Sequence, residues 1–221
     1  MSKHFVLADE QSARDLQSFL SRAKRLDPEG LVRLSAFGRL LAAYVAPIFA
    51  VGLMDESPTV IGMRTSELTK DAEIETMVPI SAVLDRLARV LDSGATEYLI
   101  ELPESSARAA WAGISAPRSG WQEVGSITEA ELTELARAGI KEVQDTLPTS
   151  VGGPIAARIR GEIWGRGVAQ YTKVPTGAAF VIAGLGFLTE HEVVPIYEAD
   201  RWVRLSSEFG HVLARAANKV V

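Results

Sequence analysis

The hydrophobic period changes twice along the chain, and this change constrains the fold more than any other feature of the sequence. Residues 31–68 are rich in Leu, Val, Ile and Phe broken by short turns, which is typical of strands. Residues 128–164 carry apolar side chains at helical spacing, and residues 174–221 return to the strand pattern. This order predicts an α+β protein, with mostly antiparallel sheet portions at both ends and a helical hairpin in the middle, rather than a doubly wound parallel sheet.

The same changes divide the chain into three segments. We predict an N-terminal α+β half at residues 1–126, a helical hairpin at 127–170 and a C-terminal β meander at 171–221. A chain of this length can also pack all three segments into one compact domain.

Helix signals outside and inside the hairpin are specific enough to place elements. Residues 9–26 and 79–92 each hold apolar side chains on one helical face, and Pro103 precedes a short predicted helix at 104–111. Thr128 followed three residues later by Glu131 predicts a capping box at the start of a helix.

Two stretches of the strand pattern carry further expectations. Residues 178–188 predict a strand in the C-terminal meander, and Phe37-Gly38 predicts a hairpin turn. The segment Val32–Gly38 recurs in similar form as Val203–Gly210, with one residue inserted. Duplication would imply two pseudo-symmetric halves around the helical hairpin, whereas coincidence in a Leu- and Ala-rich chain would imply nothing.

Composition excludes several classes of function. The 221 residues include no cysteine, so disulfides, thiolate nucleophiles and cysteine-rich metal sites are absent. The net charge of −5 and the lack of long basic runs make broad nucleic-acid binding an unfavoured function. The apolar run at residues 40–54 is shorter than the roughly 20 residues of a spanning helix, and the first ten residues lack a signal-peptide core. We therefore expect a cytoplasmic protein without a membrane partner.

Motifs for cofactors and catalysis are incomplete. Gly184-Leu185-Gly186 follows an apolar run as in dinucleotide sites, but Thr189 stands at the third glycine position and no helix is predicted to follow. His191-Glu192 lacks a second histidine at metal-binding spacing, and no Gly-x-Ser-x-Gly nucleophile motif occurs. We predict no metal and no cofactor, and whether the chain is an enzyme stays open, with the balance against it.

Tryptophan with arginine nearby is the remaining pattern that could form a binding site. An indole beside a guanidinium can stack on a ring and hold a phosphate or carboxylate. The alternative interpretation is structural, because tryptophan is mostly core and arginine often lies over it. The candidate ligand-binding residues are Arg118, Trp121, Trp164, Arg166, Trp202 and Arg204.

Several segments together resemble a known group of proteins. They are Trp111–Trp121, Ile163–Arg166, Val174–Phe180 with Leu185–Leu188, Trp202–Leu205 and Gly210–Val212. With these segments the chain resembles a family of uncharacterised actinobacterial proteins over residues 79–215. The resemblance implies a cytoplasmic bacterial protein, and it implies no activity and no site residue.

Two functions from different classes follow. The leading hypothesis is a non-catalytic protein-interaction or scaffold module, a homodimer, because the chain is apolar for a soluble protein (mean hydropathy +0.11) and has several sheet edges to cover. The alternative is a binder of, or an enzyme acting on, a small anionic aromatic or phosphorylated ligand at a Trp/Arg-lined pocket.

Overall fold

Strands and helices alternate along the computed structural model, which describes residues 4–52, 55–103, 107–113, 115–147 and 152–217. The strands are β1 (His4–Leu7), β2 (Leu31–Ile48), β3 (Thr59–Pro79), β4 (Tyr98–Glu101), β5 (Gln122–Thr128), β6 (Gly167–Val168), β7 (Tyr171–Pro175), β8 (Val193–Ala199), β9 (Trp202–Ser207) and β10 (Gly210–Arg215). The helices are α1 (Glu10–Leu26), α2 (Ile80–Asp92), α3 (Glu129–Thr146), α4 (Gly153–Trp164) and α5 (Thr176–Gly184), with a 3-10 turn at Ala110–Gly113.

Neighbouring strands pair in antiparallel orientation. This holds for the pairs β1–β4, β5–β8, β8–β9 and β9–β10. Helices accompany these antiparallel strands, so the predicted α+β class is confirmed.

Contacts between Cα atoms divide the chain into two compact units. Unit 1 consists of Met1–Pro47 and Met63–Ala109, and unit 2 of Ile48–Gly62 and Ala110–Val221. Strands β2 and β3 each carry the chain across a unit limit. The segment limits predicted at 126 and 170 follow element type rather than contacts, so the three-segment division stays a prediction.

Unit 1 packs two amphipathic helices against short and long strands. Strand β1 lies between β4, with His4 opposite Glu101, and β3, with Leu7 opposite Leu68. Helix α1 begins where the Asp9 carboxylate accepts a hydrogen bond from the Ser12 backbone N–H at 2.7 Å, which satisfies one of the free donors of the first turn. The fully buried side chains of this unit include Phe5, Phe19, Leu87 and Ile100.

Unit 2 contains the sheet that carries two of the candidate residues, Trp202 and Arg204. Its strands follow the order β5-β8-β9-β10, and α3 packs against α5. One face of this sheet is apolar and fully buried, as Ile196, Leu205 and Val212 show. The side chains that alternate with them point to the opposite face, because successive strand residues point to opposite sides.

The longer helices predicted from the sequence are confirmed. Helix α3 begins with the predicted capping box, in which Thr128 accepts from the Glu131 N–H and the Glu131 carboxylate accepts from the Thr128 N–H at 3.0 Å. The helices predicted at residues 9–26 and 79–92 correspond to α1 and α2. Of the short helix predicted at 104–111, residues 104–106 lie outside the described residues, residues 107–109 are not helical, and only residues 110–111 belong to the 3-10 turn Ala110–Gly113.

The strand predicted at residues 178–188 is wrong. The chain instead forms helix α5, in which Gly177, Ala178, Ala179, Val181 and Ile182 are all buried. A helix that is enclosed on nearly all sides has no polar face, so its sequence shows no helical period. The Gly184-Leu185-Gly186 segment therefore follows a helix rather than a strand.

The hairpin predicted at Phe37-Gly38 is also wrong, because β2 runs through it without a turn. Gly38 has φ +58°, and the burial pattern shifts there by one residue, from Ala36 buried before it to Leu41 buried after it. A bulge inserts one residue in this way without ending the strand. The similar segment Val203–Gly210 does form a hairpin, between β9 and β10, so the two segments differ in structure.

Pro117, Gly120 and Gly125 predict a loop before helix α3, but strand β5 (Gln122–Thr128) lies in this stretch. Within the described ranges, no helix combines the length and the apolar character that crossing a membrane requires.

Candidate functional site

The six predicted site residues lie in three kinds of environment. Trp164 and Trp202 are core residues, and Arg118 and Arg166 are exposed. Trp121, in the loop before β5, and Arg204, on β9, are half-buried.

Trp164 packs within the helices of unit 2 rather than facing a ligand. Its side chain is 6% exposed and stacks on Phe180 with the ring centroids 4.7 Å apart. A methyl group at Gly139 would overlap its ring, so α3 and α4 approach closely at this point. The structure therefore gives Trp164 a packing role.

Arg166, two residues further on, already has an anionic partner. Its two terminal nitrogens donate to the two carboxylate oxygens of Glu142, each at 2.7 Å. The hydrogen bonds to this carboxylate raise the pKa of Arg166. A bidentate pair of this kind occupies the edge of the guanidinium that a ligand would use.

Arg204 and Trp121 do come together. The guanidinium carbon of Arg204 lies 4.8 Å from the centroid of the Trp121 ring and 4.5 Å from that of Tyr197. Tyr197 on β8 is directly opposite Arg204 on β9, so the sheet register creates one of these contacts. Both distances are typical of cation–π interactions.

The loop before β5 holds Trp121 in place. Its indole N–H donates to the carbonyl oxygen of Pro117 at 3.0 Å. The neighbouring Arg118 is exposed to solvent, so the arginine that contacts Trp121 comes from β9 and not from the adjacent loop position.

Arg204 is short of hydrogen-bond partners. Its Nε atom is buried and has no partner among the described residues. A buried donor without an acceptor carries a free-energy cost of about 1–3 kcal/mol. Burial lowers the pKa of Arg204, and the electrostatic interaction with Tyr197 partly opposes this shift.

His211 and Ser206 extend the cluster on the same face. They are opposite each other on β10 and β9, and the His211 Nδ1 atom lies 3.0 Å from the Ser206 hydroxyl oxygen. Burial lowers the pKa of His211, and the positive charge of Arg204 lowers it further. The imidazole is therefore neutral at neutral pH. We name Trp121, Tyr197, Arg204, Ser206 and His211 the Arg204 cluster.

A second arginine on this sheet has a similar environment. The guanidinium carbon of Arg215 lies 5.7 Å from the centroid of the Trp202 ring, and its Nε atom is also buried without a partner among the described residues. Trp202 itself is 5% exposed. The predicted neighbour of Trp202, Arg204, contacts Trp121 and Tyr197 instead.

Sequence reasoning missed four residues of this face: Tyr197, Ser206, His211 and Arg215. Strand alternation from Arg204 was enough to place Ser206 on the same face. The other three required the registers of β8 and β10 against β9, which no local pattern specifies.

A metal centre is not formed by the described part of the chain. No three of its His, Asp or Glu side chains converge closely enough to hold a metal ion. The Arg204 cluster has cationic and neutral donors, which suit an anion rather than a metal.

Comparison with solved structures shows which known fold the chain shares. The chain is similar to the DNA polymerase III subunit beta from Pseudomonas aeruginosa, with a TM-score of 0.51 and 14% identity over 99% of this chain and 66% of that one. It is also similar to a DNA polymerase sliding clamp from Caulobacter crescentus, with a TM-score of 0.50 and 12% identity over 100% of this chain and 67% of that one. The chain thus has a sliding-clamp-like α+β fold. It spans 65% of the length of another Pseudomonas aeruginosa clamp, which is just under two thirds.

Sequence comparison then gives the family. The chain belongs to the family described as Domain of unknown function (DUF8010), whose model matches residues 1–113. Residues 116–219 match a second model, Domain of unknown function (DUF8185). No curated protein matches the chain. The expected membership of a family without an assigned activity is confirmed, and the matched residues extend beyond 79–215.

Proposed function

We propose that this protein is a non-catalytic interaction module that forms a homodimer through residues 37–40 of β2, which we call the bulged part of β2. The carrying observation is the exposure of two large apolar side chains there, Phe37 at 87% and Leu40 at 55%. Among the described strands, β2 pairs only with β3. A long strand with an unpaired edge and exposed apolar side chains is a ready template for a second chain.

A second copy is the partner that this arrangement favours. Two-fold dimers are the commonest assemblies, and a strand edge can pair with its own copy in antiparallel orientation, so both chains use the same surface. Arg39, between Phe37 and Leu40, is directed back to β3, where its Nε donates to the Leu68 carbonyl at 2.9 Å. The charge that could otherwise block the edge is therefore engaged within the same chain.

Light scattering after size-exclusion chromatography tests the proposal. The wild type should elute as a dimer at micromolar concentration, and Phe37→Ser should shift the equilibrium toward monomer. Val51→Ser is the matched control, because Val51 is also highly exposed, at 77%, but lies outside the strands. A wild type that stays monomeric at every concentration would defeat the proposal.

Sliding clamps are, by the names of the similar structures, components of a DNA polymerase. We propose no DNA partner for this chain, because the net charge is −5 and cations such as Arg158 and Arg166 are paired with Glu162 and Glu142. A gel shift of duplex DNA that weakens steeply with salt would contradict this part of the proposal.

The source and location proposed from the sequence remain part of this proposal. An actinobacterial origin is supported by the large share of arginine, which supplies 17 of the 23 basic residues. A cytoplasmic location is supported by the absence of cysteine. Cell fractionation with an antibody to the chain tests the location, and recovery in the membrane or culture medium would contradict it.

A second candidate function is the binding of a small anionic ligand, which one specific observation favours. Arg204 lies against two aromatic rings and has no carboxylate partner in the described part of the chain. A ligand that binds the native state raises the melting temperature. A panel of phosphorylated and carboxylated aromatic compounds should therefore include stabilising members, and a panel without any effect would remove this candidate.

A further inference from the structure

Arg204 has no carboxylate partner among the described residues, whereas several other arginines of the chain do. Carboxylates lie within ion-pair distance of six of them: Arg14, Arg33, Arg39, Arg64, Arg158 and Arg166. Arg204 has no such neighbour among the described residues, although Glu123 is opposite Tyr197 on the adjacent strand. The Glu123 side chain is exposed and forms no ion pair with Arg204.

The terminal nitrogens of Arg204 are available to a ligand. Only Nε of this guanidinium is buried without a partner, and neither terminal nitrogen has a hydrogen bond within the described ranges. The side chain as a whole is half-buried. Contacts with Trp121 and Tyr197 restrict its motion, so the guanidinium is held in position before any ligand arrives.

Two further polar groups lie beside it. Ser206 is two residues along the same strand, on the same face, and His211 is opposite Ser206. The Ser206 hydroxyl and the His211 imidazole are within hydrogen-bond distance of each other, and the second ring nitrogen of His211 has no partner among the described residues. One guanidinium, one hydroxyl and one imidazole thus lie together without a carboxylate.

We propose that Arg204, Ser206 and His211 form a binding site for the oxyanion group of a small molecule, either a phosphate ester or a carboxylate. Arginine binds such groups through two parallel charge-assisted hydrogen bonds. The hydrogen-bonded pair of Ser206 and neutral His211 contributes one further donor, because the imidazole and the hydroxyl carry one hydrogen each and one of the two is used between them. Trp121 and Tyr197 position the guanidinium and offer ring surface to an aromatic ligand. This inference rests on the second proposed function and names its site and ligand chemistry.

An NMR titration of the full chain tests this site. Phenyl phosphate and benzoate are the two probes, and benzyl alcohol is the neutral control of similar shape. The readout is the imidazole signals of the three histidines, with His211 assigned through His211→Asn. We expect saturable shifts of the His211 signal with at least one anion and none with the alcohol, and the preferred anion distinguishes phosphate from carboxylate recognition.

Variants of Arg204 test whether this residue binds the anion. Arg204→Met should weaken binding by about tenfold or more, because it removes two charge-assisted hydrogen bonds. Arg166→Met is the matched control and should bind as the wild type does, since Arg166 is paired with Glu142. If Arg204→Met loses its dispersed NMR spectrum, Arg204→Lys replaces it and should bind more weakly, because an ammonium cannot form the bidentate pair.

The possible results distinguish the proposed site from the proposed ligand-binding function. Saturable binding that is unchanged in the Arg204 variants would show that the ligand binds elsewhere, so the site would be wrong and the ligand-binding function would still hold. Absence of binding by both anions to the wild type would overturn the site and, together with an inert ligand panel, the second candidate function. Neither result bears on the homodimer, which light scattering tests separately.

Discussion

Single residues in unit 2 decide how closely its helices approach. Gly139 on α3 faces the ring of Trp164, and a Cβ atom there would lie 2.7 Å from the ring's Cη2 atom and nearer still to its neighbour. Packed interiors cannot yield to such an overlap without moving side chains or backbone. The small residue and the large ring are therefore complementary.

We predict that Gly139→Ala destabilises the protein despite the better helix propensity of alanine. Overpacking of this kind costs about 1–3 kcal/mol, which exceeds the gain of about 1 kcal/mol from replacing a helical glycine. Urea denaturation measures the difference. Gly153→Ala is the control, because its Cβ atom would enter open space. Equal stability of Gly139→Ala and wild type would show that Trp164 moves freely.

His211 gives the stability a dependence on pH. Burial and the charge of Arg204 lower its pKa below the ordinary 6.5, so the unfolded chain takes up a proton before the folded one does. The contribution of neutral His211 to the free energy of unfolding is therefore complete above pH 6.5, and it is lost as the pH falls below that value.

We therefore predict that the free energy of unfolding decreases from pH 7 to pH 5 and that His211→Asn reduces this decrease. Urea denaturation in phosphate-free buffer measures it, since an anion at the Arg204 cluster would favour the charged imidazole. His191→Asn is the control, because that ring lies on an exposed turn. An unchanged pH dependence in His211→Asn would contradict the assignment.

At the scale of elements, two of the described sheet edges, those of β5 and β2, are covered to different extents. Strand β5 is at the edge of the unit 2 sheet, and the Tyr171 hydroxyl covers part of it by accepting from the Ser126 N–H at 3.2 Å and donating to the Ser126 carbonyl at 3.0 Å. The bulged part of β2 has no comparable cover in the described chain and presents Phe37 instead. This contrast supports β2 as the interaction edge.

We predict that Tyr171→Phe speeds hydrogen exchange of the Ser126 amide and lowers the stability by roughly 0.5–1.5 kcal/mol. Exchange followed by NMR measures the first effect and urea denaturation the second. Tyr98→Phe is the control, because the Tyr98 hydroxyl has no hydrogen-bond partner in the described ranges. A Ser126 amide that exchanges at the wild-type rate would show that water protects it equally well.

At the scale of the whole molecule, self-association links stability to concentration. A dimer that dissociates on unfolding has a melting temperature that rises with protein concentration. We predict this rise for the wild type over about a hundredfold range of concentration, measured by calorimetry, and a flatter dependence for Phe37→Ser. A melting temperature independent of concentration in both proteins would count against the homodimer.

Local sequence signals specified part of this architecture. The α+β class, the capping box at Thr128 and helices α1 and α2 followed from period and side-chain chemistry, because these depend on neighbours a few residues apart. The candidate residues Trp121 and Arg204 were also identified, as members of a Trp and Arg pattern.

Tertiary contacts decided the rest. Helix α5 is enclosed by its surroundings, so its apolar sequence fits a strand as well as a helix until the packing is known. Arg204 meets Trp121, Tyr197 and the His211–Ser206 pair only through the registers of β5, β8, β9 and β10. Register depends on long-range pairing, and for that reason the residue composition of the cluster could not be derived from the order of residues along the chain.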